Sequence, residues 1–270
     1  ETSRQVYSID AVNEFDPLFE DIYDYCELMN LDVDTLIHEI GAGQMGIDFL
    51  HGDPLGMADN VFYFKRTLRE AALKHAMYAT FMAKPMANEP GSAMHVHQSV
   101  QDAATGQNLF SNPDGSPSKA FYHYVGGLQR YMPAAMALAA PYVNSYRRIV
   151  RHTYAPVNVQ WGIDNRTVGF RVPVSRPADR RVENRVIGAD ANPYLAFAVT
   201  LASVASLLRS PNEATASAMA IQRLGCVSVK AATSAGSEAL SPMRLRACAA
   251  LARASQWLSA ASMASSEARA

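Results

Sequence analysis

His95 and His97 stand two residues apart in GSAMHVHQS, residues 91–99, in a chain that has only seven histidines. On an extended strand, residues i and i+2 point to one face, so both imidazoles would look into the same space. Gly91, Ser92 and Ala93 are small and leave room for a group to approach the backbone. Taken alone, the pair is either the lining of a site or a polar strand face with two satisfied histidines.

A second concentration of chemistry lies downstream. Nine arginines and no lysine fall between residues 147 and 185. The planar guanidinium fork holds carboxylate or phosphate oxygens in pairs. Arg166, Arg171, Arg181 and Arg185 sit in strand-like text, where alternation can aim several of them at one place. In RRVENR, Glu183 lies two residues from an arginine on either side, and an extended segment would put all three on one face. Charges of both signs converging there suit a site for an anion together with a metal. A salt-bridged, solvated sheet face gives the same pattern. An RNA-binding surface fits less well, because no aromatic-rich motif accompanies the arginines.

The elements that must position these residues read as mixed α and β. Asp16-Pro17 opens a helix that runs to about Met29, with Asp suited to the cap and Pro to the first turn. DTLIHEIG reads as a strand and GQMGIDF as its return strand. Asp53-Pro54 opens a longer helix through FKRTLREAALKHAM. YATFMAKP and SAMHVHQS read as two further strands, SNPDGSP as a turn cluster, and residues 118–140 as a helix. APVNVQWGI and TVGFRVP read as strands flanking a turn at Asp164-Asn165. Asn192-Pro193 starts another helix. Strands grouped with helices, without strict βαβ alternation, predict an α+β fold with a largely antiparallel sheet and flanking helices.

A length of 270 residues is enough for one large domain or two smaller ones. The net charge of −1 gives no global electrostatic case for nucleic acid or an anionic membrane. Three cysteines without paired spacing point to a reducing compartment. The opening ETSRQVYSID lacks the basic start and apolar run of a signal peptide, and no stretch is apolar enough to span a membrane. The expectation is a soluble cytoplasmic protein whose given sequence starts mid-chain, since no initiator Met is present.

Composition changes abruptly near residue 201. Residues 201–270 hold 20 Ala and 13 Ser but no Asp, His, Phe or Tyr, and seven Lys and Arg stand against three Glu. With few large side chains to build a core, this stretch reads as an atypical low-complexity tail, with an Ala-rich helical tail as the alternative. The expected division is therefore a domain over 1–200 and a tail over 201–270.

Several motifs together resemble one known family. HEIGAGQ, FMAKPMANEPGSAMHVHQS, NSYRRIV, APVNVQWGIDNRTVGFRVP and RRVENRVIGADANPYLAFA are similar, in order and with short gaps, to the catalytic domain of the glutamine synthetase family. The resemblance is strongest to its γ-glutamylputrescine (glutamylpolyamine) synthetase branch, and it runs from residue 1 to about 200. It implies an ATP-dependent ligase that phosphorylates the γ-carboxylate of glutamate and lets an amine displace the phosphate. It implies ATP and Mg²⁺ or Mn²⁺ as cofactors, glutamate and a putrescine-like amine or ammonia as substrates, and a homo-oligomeric ring. Residue by residue, Glu39, His95 and Glu183 match metal ligands. His97 and Ser99 match positions lining the nucleotide site, and Arg171 and Arg181 match arginines facing its phosphates. Gly91 and Arg148 match groups that hold glutamate. Arg185 matches an arginine near the γ-carboxylate and the transferred phosphoryl, and Arg166 one that faces the developing charge. Carboxylates with one imidazole suit Mg²⁺ or Mn²⁺ better than structural zinc, and phosphoryl transfer rests mainly on positioning and neutralisation of charge.

Departures from the family pattern set further expectations. The family's small N-terminal domain, and early strands that carry a Glu-x-Glu pair of metal ligands, have no counterpart in this sequence. Gly46 occupies a position where the family has a ligating glutamate, with Asp48 two residues on. Three of six usual ligands remain, so this chain by itself is expected to be impaired. A non-catalytic relic of such an enzyme and an ammonia-using glutamine synthetase are the alternatives. Tyr154, before Ala155-Pro156, stands where ammonia-using members carry a flap glutamate. A neutral phenol cannot hold ammonium as a carboxylate does, which favours an alkyl amine.

Overall fold

The computed structural model describes residue 4 and residues 6–208. The expected tail from 209 onward lies outside the described residues. The chain opens with α1 (Ile9–Asn13) and α2 (Asp16–Leu28), then β1 (Val33–His38) and β2 (Met45–Phe49), and the long α3 (Pro54–Lys74). It continues through β3 (Val96–Gln98), α4 (Lys119–Ala139), α5 (Val143–Arg148), β4 (Trp161–Ile163) and β5 (Phe170–Val172). A 3₁₀ turn at Pro177–Asp179, β6 (Val182–Asn184) and α6 (Pro193–Leu208) complete it. The helix α6 runs through residue 201, where the composition changes.

Local signals explain most boundaries. Asp53 accepts hydrogen bonds from the backbone N–H groups of Leu55 and Gly56, with Pro54 in the first turn, as its sequence predicts. Ser118 caps α4 through Phe121 N–H in the same way. In α2 the expectation is corrected by one place. Asp16 is the first helical residue, and the cap position is Phe15, which makes no side-chain cap bond.

The strands form two sheets. β1 and β2 pair antiparallel, with Ile37 opposite Gly46. The second sheet has the order β3-β6-β5-β4. Its β3–β6 and β5–β6 pairs are antiparallel, so the largely antiparallel α+β expectation holds. The β4–β5 pair is parallel instead of a hairpin about Asp164-Asn165. The Asn158 side chain ties the returning loop, accepting from Gly169 N–H and donating to Thr167 O. Residues 78–85 form no strand; there the carbonyl of Ala83 accepts from Ser92 N–H. The expected strand over 92–99 shortens to β3, plus an isolated bridge between Ala93 and Gly188.

One face of the four-stranded sheet carries Val96, Phe170 and Val182 into the core, where they join Phe121, Leu128 and Met132 of α4. Each such fully buried side chain contributes roughly 1.5–3 kcal/mol by leaving water. α4 and α6 approach closely at Gly127, where a Cβ would lie 2.6 Å from the carbonyl oxygen of Ser203. Gln98, buried on the core face, accepts from the Tyr124 hydroxyl at 2.8 Å. With the apolar residues of each strand committed to the core, the alternate residues face the other way, and these are the polar ones.

Candidate functional site

That second face is a cross-strand row. His97 lies opposite Glu183, Glu183 opposite Arg171, and Arg171 opposite Gly162, across four adjacent strands. In-register neighbours on a sheet share a face, so three short strands bring one imidazole, one carboxylate and one guanidinium together. His95, just before β3, and Arg185, just after β6, each two residues from the row, join it.

Glu183 is the hub. Its side chain is only 3% exposed. Oε1 accepts from Arg185 Nη1 at 2.6 Å and stands 3.2 Å from His95 Nδ1 and 4.0 Å from His97 Nε2. Oε2 accepts from Arg171 Nη1 at 2.7 Å. Burial pushes this carboxyl upward, but the charges of His95, His97 and Arg185 and the hydrogen bond from Arg171 outweigh it and bring it down to about 2. Desolvation brings His95 down to about 3 and His97 down to about 4, and neighbouring arginines reinforce both shifts. At neutral pH the imidazoles are therefore neutral and Glu183 is ionised, with the guanidinium groups of Arg171 and Arg185 as its cationic partners. His97 Nδ1 accepts from Arg181 Nε at 3.2 Å, so its proton sits on Nε2, toward Glu183.

A second group of cations adjoins the hub. Arg148 is 3% exposed, and its Nη2 donates to the carbonyl of Val186. Burial first, and Arg185 after it, bring Arg148 down to about 10. Among the described residues, the buried Nε atoms of both Arg148 and Arg185 have no hydrogen-bond partner. Orphaned, desolvated guanidinium N–H groups are costly unless an anion answers them. Gly91 lies against the stem of Arg148, and its carbonyl accepts from Gln44 Nε2. The two residues expected to hold glutamate are thus in contact.

The remaining expected residues are placed as follows. Glu39 is half-buried, just past β1; burial and the neighbouring Asp48 raise its carboxyl, and Arg185, His38 and Arg166 offset part of that rise. Arg166 is exposed in the β4–β5 loop rather than in a strand. Arg181 precedes β6 and meets His97. Ser99 follows β3 and is half-buried. Sequence reasoning passed over Asp164, read only as a turn residue, whose Oδ1 accepts from Arg171 Nε at 2.9 Å and Nη2 at 2.6 Å. It also passed over Arg180, which bonds the carbonyls of Phe110, Gly115 and Ser116 and so pins the segment that carries Arg181. An acid inside an arginine-rich turn was the available signal for the first. The second had none, because its partners, three carbonyls and the Ser111 hydroxyl, lie far away in sequence.

A divalent metal does not fit these residues as a closed site. His95 and Glu183 adjoin, but both Glu183 oxygens already face guanidinium groups. Among the described residues no group of three or more His, Cys, Asp or Glu could hold a metal ion. Gly46 adds no donor, although a Cβ there would lie 2.8 Å from Glu39 Oε1, so the position does face Glu39. What the arrangement offers is anion binding beside a carboxylate and two neutral imidazoles.

Comparison with known proteins decides the lineage. A model of the glutamine synthetase catalytic domain matches residues 1–240. The chain belongs to the glutamine synthetase family. The match extends past residue 200, where the motif resemblance was expected to end. Over 204 residues the chain is 42% identical to the gamma-glutamylputrescine synthetase PuuA of Escherichia coli (strain K12), covering 75% of this chain and 43% of that protein. It is 37% identical over 205 residues to a glutamate–isopropylamine ligase of a Pseudomonas species, covering 75% and 44%. It is 40% identical over 181 residues to a glutamine synthetase of Pyrococcus horikoshii, covering 67% and 40%. A solved structure, "Apo GmaS without ligand", superposes with a TM-score of 0.67 at 30% identity, covering 77% of this chain and 48% of that one. The chain thus spans less than half the length of these family members. No helix among the described residues is long and apolar enough to cross a membrane.

Proposed function

We propose that the protein to which this chain belongs is an ATP-dependent ligase that joins an amine to the γ-carboxylate of glutamate through a γ-glutamyl phosphate. The observation that carries this reading is the pair of buried guanidinium groups, Arg148 and Arg185, each with an unpartnered Nε–H among the described residues, beside Glu183 and His95. In this reading Arg148, with Gly91 against its stem, holds one carboxylate of glutamate. Arg185 holds the other and the charge that develops on it. A carboxylate is a poor electrophile, and phosphorylation supplies its leaving group. Fixed, desolvated cations stabilise that transfer without reorganising. His97, Ser99 and Arg181 are assigned to the nucleotide side, and Arg166 to the open rim. ATP and Mg²⁺ or Mn²⁺ belong to this reading as cofactors. His95, Glu183 and Glu39 are the donors this chain offers, and the metal needs others besides them.

The amine is read as putrescine or a similar alkyl amine, which places the enzyme in polyamine catabolism. Support comes from Tyr154, 61% exposed just before Ala155-Pro156, and from the likeness to a gamma-glutamylputrescine synthetase. A phenol ring lies along an alkyl chain or faces a cation with a gain of about 0.5–2 kcal/mol. A homo-oligomeric ring in the cytoplasm completes the reading.

The test joins residues 1–208 to the N-terminal half of a gamma-glutamylputrescine synthetase, with Gly46→Glu. The reading requires phosphate release that depends on glutamate and runs faster with putrescine than with ammonium. Faster glutamine formation from ammonium would favour the ammonia-using alternative. No turnover with any amine, in a folded protein, would favour the relic.

A further inference from the structure

Arg171 matches a nucleotide-facing arginine of the family, yet in this chain its nitrogens are occupied. Nε and Nη2 donate to Asp164 Oδ1 at 2.9 and 2.6 Å, and Nη1 donates to Glu183 Oε2 at 2.7 Å. Asp164 is the residue after β4, and Arg171 is central in β5. The two are tied again by the backbone, where Asp164 N–H donates to Val172 O at 2.9 Å. Asp164 also has φ +46°, the left-handed region that most L residues avoid and that Asp and Asn tolerate best. Its backbone turn is what presents the carboxylate to Arg171. The Asp164 side chain is 54% exposed and that of Arg171 14%, so the pair screens the buried Glu183 from the open side. Arg148 and Arg185 differ, since each keeps a buried N–H without a partner.

We infer that Asp164 is a positioning residue: from its left-handed turn it grips the Nε edge of Arg171, turns Nη1 on to Glu183, and so withdraws Arg171 from the arginines open to an anion. The consequence is a division of labour. Arg171 orients the hub carboxylate, while Arg148 and Arg185 meet the ligand. This assignment rests on the side-chain geometry and not on the ligase reading, although it changes the part Arg171 plays there.

The experiment uses the full 270-residue chain and three variants, Asp164→Asn, Asp164→Gly and Arg171→Lys. Asn and Gly both accept the left-handed backbone, so neither should unfold the loop. The Nε–H signal of Arg171, identified by its loss in Arg171→Lys, is followed by nitrogen-edited NMR for exchange with water. The inference expects slow exchange in the parent chain and exchange about tenfold faster or more in both Asp164 variants. It expects the Nε–H of Arg185 to stay unchanged. The melting temperature, recorded in parallel, separates loss of the grip from loss of the fold. An Arg171 Nε–H that exchanges equally slowly in parent and variants overturns the inference. In a second arm, inorganic phosphate is titrated into each protein. Phosphate affinity should fall less than about threefold in Arg171→Lys and more than about tenfold in Arg185→Gln. The reverse order overturns the division of labour. Failure of the ligase reading would show as absent amine ligation and would leave the exchange result standing.

Discussion

Gly91 and Arg148 touch so closely that a Cβ at position 91 would lie 2.5 Å from Arg148 Cγ and 2.6 Å from the carbonyl oxygen of Ala83. The glycine allows a buried cation to lie flat against the loop that precedes β3. Gly91→Ala must therefore displace the Arg148 stem or the loop. Overpacking of this kind typically costs about 1–3 kcal/mol. Urea unfolding measures it, and a stability equal to that of the parent chain would contradict the contact.

Glu183 answers two guanidinium groups while almost fully buried. Glu183→Gln leaves Arg185 without its charged partner inside the fold and Arg171 with Asp164 alone. Breaking one side of a buried ion cluster costs about 3–5 kcal/mol. Chemical denaturation should show a loss of that order, and a loss below about 1 kcal/mol would place Glu183 on a solvated face instead.

Cys26 sits in α2, 2% exposed, and burial pushes its thiol up to about 11 from an ordinary 9.0. The folded value lies above the unfolded one. The neutral thiol's contribution to stability is therefore fully present below about pH 9 and is lost as pH rises through about 11. The thiolate is the reactive form, so native Cys26 should resist iodoacetamide at about pH 9 and react once the chain is unfolded. Peptide mapping of the alkylated protein reads this directly, and rapid native labelling of Cys26 would show that its helix face is open.

The metal expectation has its own test. With no three-donor group among the described residues, Mn²⁺ should bind the chain weakly, with a Kd of about 0.1 mM or higher. Gly46→Glu adds a carboxylate beside Glu39 but none beside Glu183, and should tighten Mn²⁺ by less than about tenfold. Water-proton relaxation follows the binding. Micromolar affinity in the parent chain would mean that Glu39 and Glu183 close on one ion.

Much of the site was legible in the sequence because it is built from strand periodicity. The i, i+2 spacing of His95 and His97, and of Arg181, Glu183 and Arg185, anticipated a shared face. The register His97–Glu183–Arg171 realises it. The helix at Asp53 was legible from its cap and following proline, whereas the Ser118 cap of α4 shows only in the folded chain. What escaped depended on distance in sequence. The parallel β4–β5 pair is held by Asn158 across the returning loop, and alternation alone cannot distinguish it from a hairpin. Residues 78–85 look strand-like in composition but find no ladder partner among the described residues. Asp164 was read for its turn propensity, and only the folded chain shows its carboxylate on Arg171.

The central claim is that Arg148 and Arg185, buried with open N–H groups, form a carboxylate-binding site for glutamate. Titration of labelled L-glutamate into the 270-residue chain, followed by NMR of the backbone amides, tests it most directly. The account predicts saturable shifts centred on Gly91, Arg148 and Arg185, weakened by about tenfold or more in Arg148→Gln and in Arg185→Gln. It also predicts little response to D-glutamate. Shifts scattered over the surface, or an affinity for L-glutamate unchanged in both variants, would contradict it.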